Sequence, residues 1–461
     1  MSRWSFVGRC VGSLLLAAWW VGWPRRLDAI DWPSLPLAPI PYLVGGQATA
    51  VWQYKPSFHS PYQGAHSLKP GTEDAISQSY TLYTGIRPWP WLEIYADPEM
   101  VRGAGISDAL GLAGYTNGEV IRNPAIGMDP YLARFFLRAT LALGDDMESL
   151  GTDQLQIGGD FPLQRLSLIF GILATNDLFD TNRYANNART QFLNWALITD
   201  VAYDFAADTR GYSRGIALEW AMPYVEVRAG VFQMPKVANG LNLAADLVNN
   251  QGEQIEVDVP YELLSGKPLV FRALFYGNHA HMGNYNAAIA LGRETGQTPD
   301  ITQTRTTGAV KYGFGINFEQ PLADDGETGL FGRAGWNNGA TESFAFTEAD
   351  RTVSIGAQIS GDSWYRPYDR IGIGFVANGL SDPHADYLAA GGLGFILGDG
   401  RLNRGAEIIT EVYYSLRLLS WFAVSVDYQF IKNPGYNRDR GPVSVVSLRG
   451  HMQATATSPP P

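Results

Sequence analysis

The sequence predicts an all-β protein: a transmembrane antiparallel β-barrel of about sixteen strands, with one long connector folded into its lumen. Three observations carry that reading. Many segments alternate polar and apolar side chains with period two. The connectors between them are tight and long in turn, which puts short turns on one rim and long loops on the other. The stretch 166–220 joins two alternating runs through a connector rich in Asn, Asp, Arg and aromatic residues. A connector of that length without a covering helix pair is uncommon in a compact soluble domain and is usually functional. In a barrel its place is inside, as the constriction of a sieve.

Composition narrows the function classes. Among 461 residues, 45 acidic side chains face 34 basic ones, a formal charge of -11. Nucleic-acid binding, which needs a basic face, is excluded as a partner class. A hydrophobic share of 46% with 12% aromatics is too polar for a helical membrane protein. It suits strands whose lipid side is apolar and whose lumen side is polar. The 51 glycines fit many turns, and the 23 tyrosines fit two membrane interfaces.

Arg3, Arg9 and the short apolar run 10–23 read as a secretory signal, assigned to residues 1–29 with Leu27-Asp28-Ala29 as the cleavage candidate. Arg25 and Arg26 after the apolar core depart from a standard signal. The only cysteine, Cys10, lies within this segment. Its removal leaves no thiol for a disulfide or a thiolate metal site. Residues 30–43 form a Pro-rich extended lead-in, 44–453 the barrel, and 454–461 a disordered tail.

The strands follow in order. In 46–55, Gln47, Thr49 and Gln53 oppose Ala48, Ala50, Trp52 and Tyr54. In 77–87, Ser79, Thr81 and Arg87 oppose Tyr80, Leu82 and Ile86. In 92–100, Glu93, Tyr95, Asp97 and Glu99 oppose Leu92, Ile94 and Ala96. In 132–143, Arg134, Arg138 and Thr140 oppose Ala133, Phe135, Leu137 and Leu141. The four-residue spacing of Arg134 and Arg138 also fits a helix, but neighbouring β-branched alternation at 225–232 and 255–259 favours strand. Further alternating runs lie at 269–276, 309–319, 329–336, 352–360, 370–375, 407–417, 422–431 and 443–451. The connector 145–162 is too long for the short-turn side on which it falls.

Five pieces of the chain carry a resemblance. They are FHSPY at 58–62, GLAGYTNGEVIRNP at 111–124, DLFDTNRYANNARTQFLNW at 177–195, DFAADTRG at 204–211 and DYQFIKNPGYNRDR at 427–440. In this order, over most of the mature chain, they resemble the carbohydrate-selective outer-membrane porins of the OprB family. The resemblance implies a monomeric sixteen-stranded barrel in the outer membrane of a Gram-negative-type envelope, inserted by the assembly machinery and passing small carbohydrates passively, without cofactor. One departure is the end QATATSPPP at 453–461, with no terminal Phe. The chain either inserts less efficiently or carries its assembly signal internally.

A sugar is neutral, polar at its edges and apolar on its ring faces. A channel selective for it needs hydrogen-bonding forks and aromatic faces, bound weakly enough for release. Glu93, Asp97 and Glu99 on one strand and Arg134 and Arg138 on the next supply forks on the inward face. In the long connector Asp180, Asn182, Arg183 and Arg189 offer hydroxyl partners, and Trp195 a stacking face. These charges equally suit pairing with one another to brace the wall. Phe192, Trp195, Ala196 and Thr199 fall at helical spacing, which suits a helix packing its aromatics against that wall. Asp204, Asp208 and Arg210 suit fastening the loop. His279 and His281, an HxH in an expected loop, read as a surface pair. No nucleophile or metal site stands out, so the protein is read as a channel and not an enzyme. The alternative is a secreted soluble β-rich protein that binds or hydrolyses glycans, since Asp/Glu pairs abound.

Overall fold

The computed structural model describes residues 40–120 and 129–458, so the signal assigned to 1–29 and most of the lead-in fall outside the described residues. The chain enters β1 (Tyr42–Lys55), β2 (Glu73–Trp89), β3 (Leu92–Gly103) and β4 (Tyr131–Ala142). A short pair follows, β5 (Met147–Leu150) and β6 (Gly159–Pro162), then β7 (Arg165–Leu173), β8 (Ser213–Met222) and β9 (Val225–Gln233). The second half holds β10 (Gln251–Leu264), β11 (Lys267–Met282), β12 (Thr306–Ala323), β13 (Thr328–Asn337) and β14 (Arg351–Gly361). It ends with β15 (Arg366–Gly379), β16 (Glu407–Leu419), β17 (Phe422–Lys432) and β18 (Val443–Thr457).

Leaving out β5 and β6, the sixteen other strands close into one antiparallel barrel, each paired to its neighbours in sequence, with β4 against β7. β1 meets β18 from Leu43↔Thr457 to Tyr54↔Val446 and seals the cylinder. Closure pairs the backbone groups of both edges, which a bilayer demands.

Alternation explains the two faces. In β14, Thr352, Ser354 and Gln358 are buried inward while Val353, Ile355 and Ile359 point out. Phe170 and Val353 are 60% and 61% exposed, whereas Lys55, Asp97 and Glu411 are fully buried. A water-soluble sheet shows the opposite distribution, so the outer surface is a lipid-facing band and the soluble alternative fails. Aromatics gather at the short-turn rim: Trp91, Tyr224, Tyr261, Tyr365, Tyr368 and Trp421 are all exposed there.

Four expectations need correction. Residues 454–457, placed in the disordered tail, belong to β18, because β1 already begins at Tyr42 and its partner must reach as far. His279 and His281 lie on β11 rather than in a loop; β12 extends far enough to pair Val310 with His279. Ala133 is buried, not lipid-facing, because the β3–β4 register slips from Asp97↔Arg134 to Pro98↔Leu132 and leaves it as an extra residue. The α-helical part of the long connector is only Trp195–Ile198, started by the Asn194 side chain accepting from Ala196 N.

Candidate permeation site

Three loops on one rim matter most: 56–72, 104–120 and 174–212. The third folds into the lumen and is pinned at several levels. The Asp204 carboxylate accepts from the backbone N–H groups of Phe344, Ala345 and Phe346 at 2.8, 2.8 and 3.2 Å, with Lys311 at 3.4 Å. Lower down, Asp180 accepts from Arg333 Nε at 2.8 Å, Asn317 at 2.8 Å and the Asp200 N–H at 2.6 Å. On the β16 side, Glu411 accepts from the N–H groups of Leu193 and Asn194 at 2.5 and 2.9 Å. Tyr184 OH reaches the Gly326 carbonyl at 2.8 Å, in the tight turn between β12 and β13. The loop therefore lines the β12–β16 wall down to the short-turn rim.

This asymmetry leaves a cavity of about 450 Å³ against the opposite wall. Its lining includes Glu99, Tyr131 and Arg134 from β3 and β4, Glu119 from the second loop, and Asp177, Arg189, Trp195, Arg210 and Tyr212 from the third. The charges interlock. Arg134 grips Asp177 through Nε and Nη2, both at 2.7 Å. Arg189 donates to Glu119 at 2.8 Å and to Glu99 at 2.9 Å. Glu99 also accepts from the hydroxyls of Tyr131 at 2.6 Å and Tyr212 at 2.9 Å. The guanidinium of Arg210 lies 4.2 Å from the Tyr131 ring centre, and that of Arg134 5.3 Å from the Tyr212 ring. Burial opposes the Arg189 charge, but Glu119 and Glu99 outweigh it and hold the group above the ordinary guanidinium range. Burial, reinforced by Glu99, pushes the Tyr212 phenol well up, so it stays a neutral donor.

Of the predicted site residues, Glu99, Arg134, Arg189 and Trp195 border this cavity. Trp195 is 6% exposed, stacked on Tyr115 at 5.5 Å and tilted against Phe346 at 5.0 Å. Its buried indole N–H has no hydrogen-bond partner among the described residues. Phe192 packs between Phe331 and Tyr413, away from the cavity. Asp97, one strand step from Glu99, lies 3.7 Å from Arg134 and accepts from Gln154 at 3.1 Å. Glu93 and Arg138 pair with each other at 3.4 Å nearer the short-turn rim, where Arg87 joins Glu93 at 2.9 Å. Asp180 and Asn182 are consumed in the lock with β12 and β13, Asn182 donating to Asn317 at 2.8 Å. Arg183 projects beyond it toward Glu327 at 3.7 Å.

Asp177, Glu119, Tyr131 and Tyr212 were not singled out from the sequence. Asp177 stands in the quoted run DLFD and Glu119 in GYTNGEV, so their positions were visible but not their partners. Arg210, expected to fasten the loop, instead covers Tyr131 at the cavity wall.

A model of the carbohydrate-selective porin, OprB family, matches residues 79–453. The chain belongs to the OprB family. The high-pH structure of Pseudomonas putida OprB superposes with a TM-score of 0.65 at 14% identity, covering 90% of this chain and 94% of that one. The outer membrane channel DcaP of Acinetobacter baumannii gives 0.49 at 9% identity, covering 91% and 99%. No curated relative matches the chain. This OprB-family barrel is an outer-membrane porin for carbohydrate-selective passive diffusion.

Proposed function

We propose that small sugars cross through the cavity between the third loop and the β3–β4 wall, working down the ladder of Arg189, Arg134 and their carboxylates. The observation that carries this is the mixture at one narrowing: guanidinium forks, carboxylate acceptors and phenol hydroxyls around about 450 Å³. Forks and acceptors exchange hydrogen bonds with sugar hydroxyls, and aromatic edges meet ring C–H faces. Because the charges are already paired, each hydroxyl replaces a bond rather than adding one, and release stays fast. A single barrel is a complete unit in this reading, since loop and wall come from one chain.

The test is sugar influx into liposomes, read beside potassium chloride conductance. Wild type should pass small sugars. Arg134→Ala should lower the sugar-to-ion ratio severalfold, because the donor fork is lost while freed Asp177 and Asp97 draw cations. An unchanged ratio would remove Arg134 from the path; no influx through wild type would end the reading.

A further inference from the structure

The barrel is entered from both rims. The connector between β4 and β7, on the short-turn side, is not a turn: Ala142 and Arg165 face each other in register, yet the chain leaves the wall between them and returns. It forms the β5–β6 pair, whose registers run from Met147↔Pro162 to Leu150↔Gly159. At the tip, Asp153 and Gln156 exchange backbone hydrogen bonds at 3.0 and 3.1 Å and close a tight turn.

Every partner of this tip is on the inward face. Gln154 donates to Asp97 at 3.1 Å and accepts from Gln47 at 3.1 Å. Arg138 donates to the Leu155 carbonyl at 3.2 Å, and Arg87 to the Ile157 carbonyl at 2.7 Å. Tyr95 OH accepts from the Ile157 N–H at 3.1 Å. Arg87 also lies 4.2 Å from the ring centre of Phe161. Both guanidiniums are aimed by Glu93. Residues Asp153, Gln154, Leu155 and Gln156 then border the same cavity as Arg134 and Arg189, from below.

We infer that the β5–β6 hairpin is the floor of the permeation path and sets its upper size limit, with Gln154 as a specificity-determining residue and Glu93, Arg87 and Arg138 as its positioning latch. The inference rests on the proposed path through this cavity. It also gives Glu93 and Arg138 work to do at a distance from the charges that line the path. A solute leaving the Arg134–Asp177 pair meets the amide of Gln154 next, and passes only if it fits beside a tip held by bonds to β1, β2, β3 and β4.

Two variants of the full chain test it in planar bilayers and liposomes. In the first, residues 143–164 are replaced by Asn-Gly, a two-residue turn that suits the direct Ala142↔Arg165 pairing. Ion conductance should rise severalfold and trisaccharides should enter faster than through wild type. In the second, Gln154→Trp adds bulk at the floor, and should lower conductance and slow sugars in order of their size. A folded deletion variant with wild-type conductance and size limit would overturn the inference. If the deletion does not fold, an unchanged Gln154→Trp channel overturns it equally. Conductance is read independently of sugars, so a wild type that conducts ions and excludes all sugars would end the sugar path while conductance still decides the hairpin's role.

Discussion

Asp200 shows what a single buried group can do to this protein. Its side chain lies against β12 and β13, where a Cβ added at Gly335 would sit 2.1 Å from its carboxylate. Burial, and then the neighbouring charge of Asp180, push its carboxyl from 3.8 up to about 7. The folded state therefore keeps a proton that the unfolded chain releases. No cost arises below the unfolded value; the cost grows as pH rises from about 4 to about 7 and is complete above that. Wild type should accordingly lose stability across this window, by on the order of a few kcal/mol at most. Asp200→Asn should flatten the slope, giving a higher urea midpoint than wild type at pH 8 and no gain at pH 4. Parallel pH profiles for the two proteins would refute this. Which charges pair was hard to read from the sequence at this scale. Arg134 and Arg138 are equivalent in the alternation pattern, yet one meets Asp177 of the third loop and the other Leu155 of the hairpin. Such partners lie in loops, whose paths no periodicity encodes.

At the scale of elements, strands were legible because each needs only local alternation, and all the barrel strands coincide with alternating runs. The third loop was legible as an inward element by length and composition. The hairpin was visible only as a connector too long for its side, because β5 and β6 are four residues each and too short to show a period. What holds the third loop can be tested through Asp204, which has no exposed surface and accepts three backbone N–H groups beside Lys311. Asp204→Ala leaves those N–H groups without their acceptor and a buried ammonium without its carboxylate, a loss of about 3–5 kcal/mol. The barrel should still close, since its ladder is independent of the loop. Single-channel records should become noisy, with larger openings as the loop leaves the wall. Quiet, wild-type-sized steps would show that other anchors suffice.

For the whole molecule the decisive fact is the inverted surface, apolar outside and charged within. Ile355 sits mid-strand on β14, opposite Phe375, and faces out. Ile355→Arg should cost about 2–4 kcal/mol of folding free energy in lipid vesicles. The inward neighbour Ser354 replaced by Thr should cost far less, and equal costs would contradict the assigned facing. The folded protein should also keep the heat-modifiable gel migration of a closed barrel. The glycines carried a different meaning from the one composition suggested. Many lie not in turns but on the inner wall of β12–β15, where a Cβ at Gly374 would come within 3.0 Å of both Leu197 and Phe192.

That bare wall divides the protein into two halves with unequal freedom to change. On one side, almost any side chain larger than hydrogen would lift an entire loop off its seat. On the other, the residues around Arg134 meet the loop through long side chains such as Asp177 and Arg189 rather than through bare backbone. New solute preferences can arise there by substitution after substitution, while the smooth half keeps the cylinder assembled.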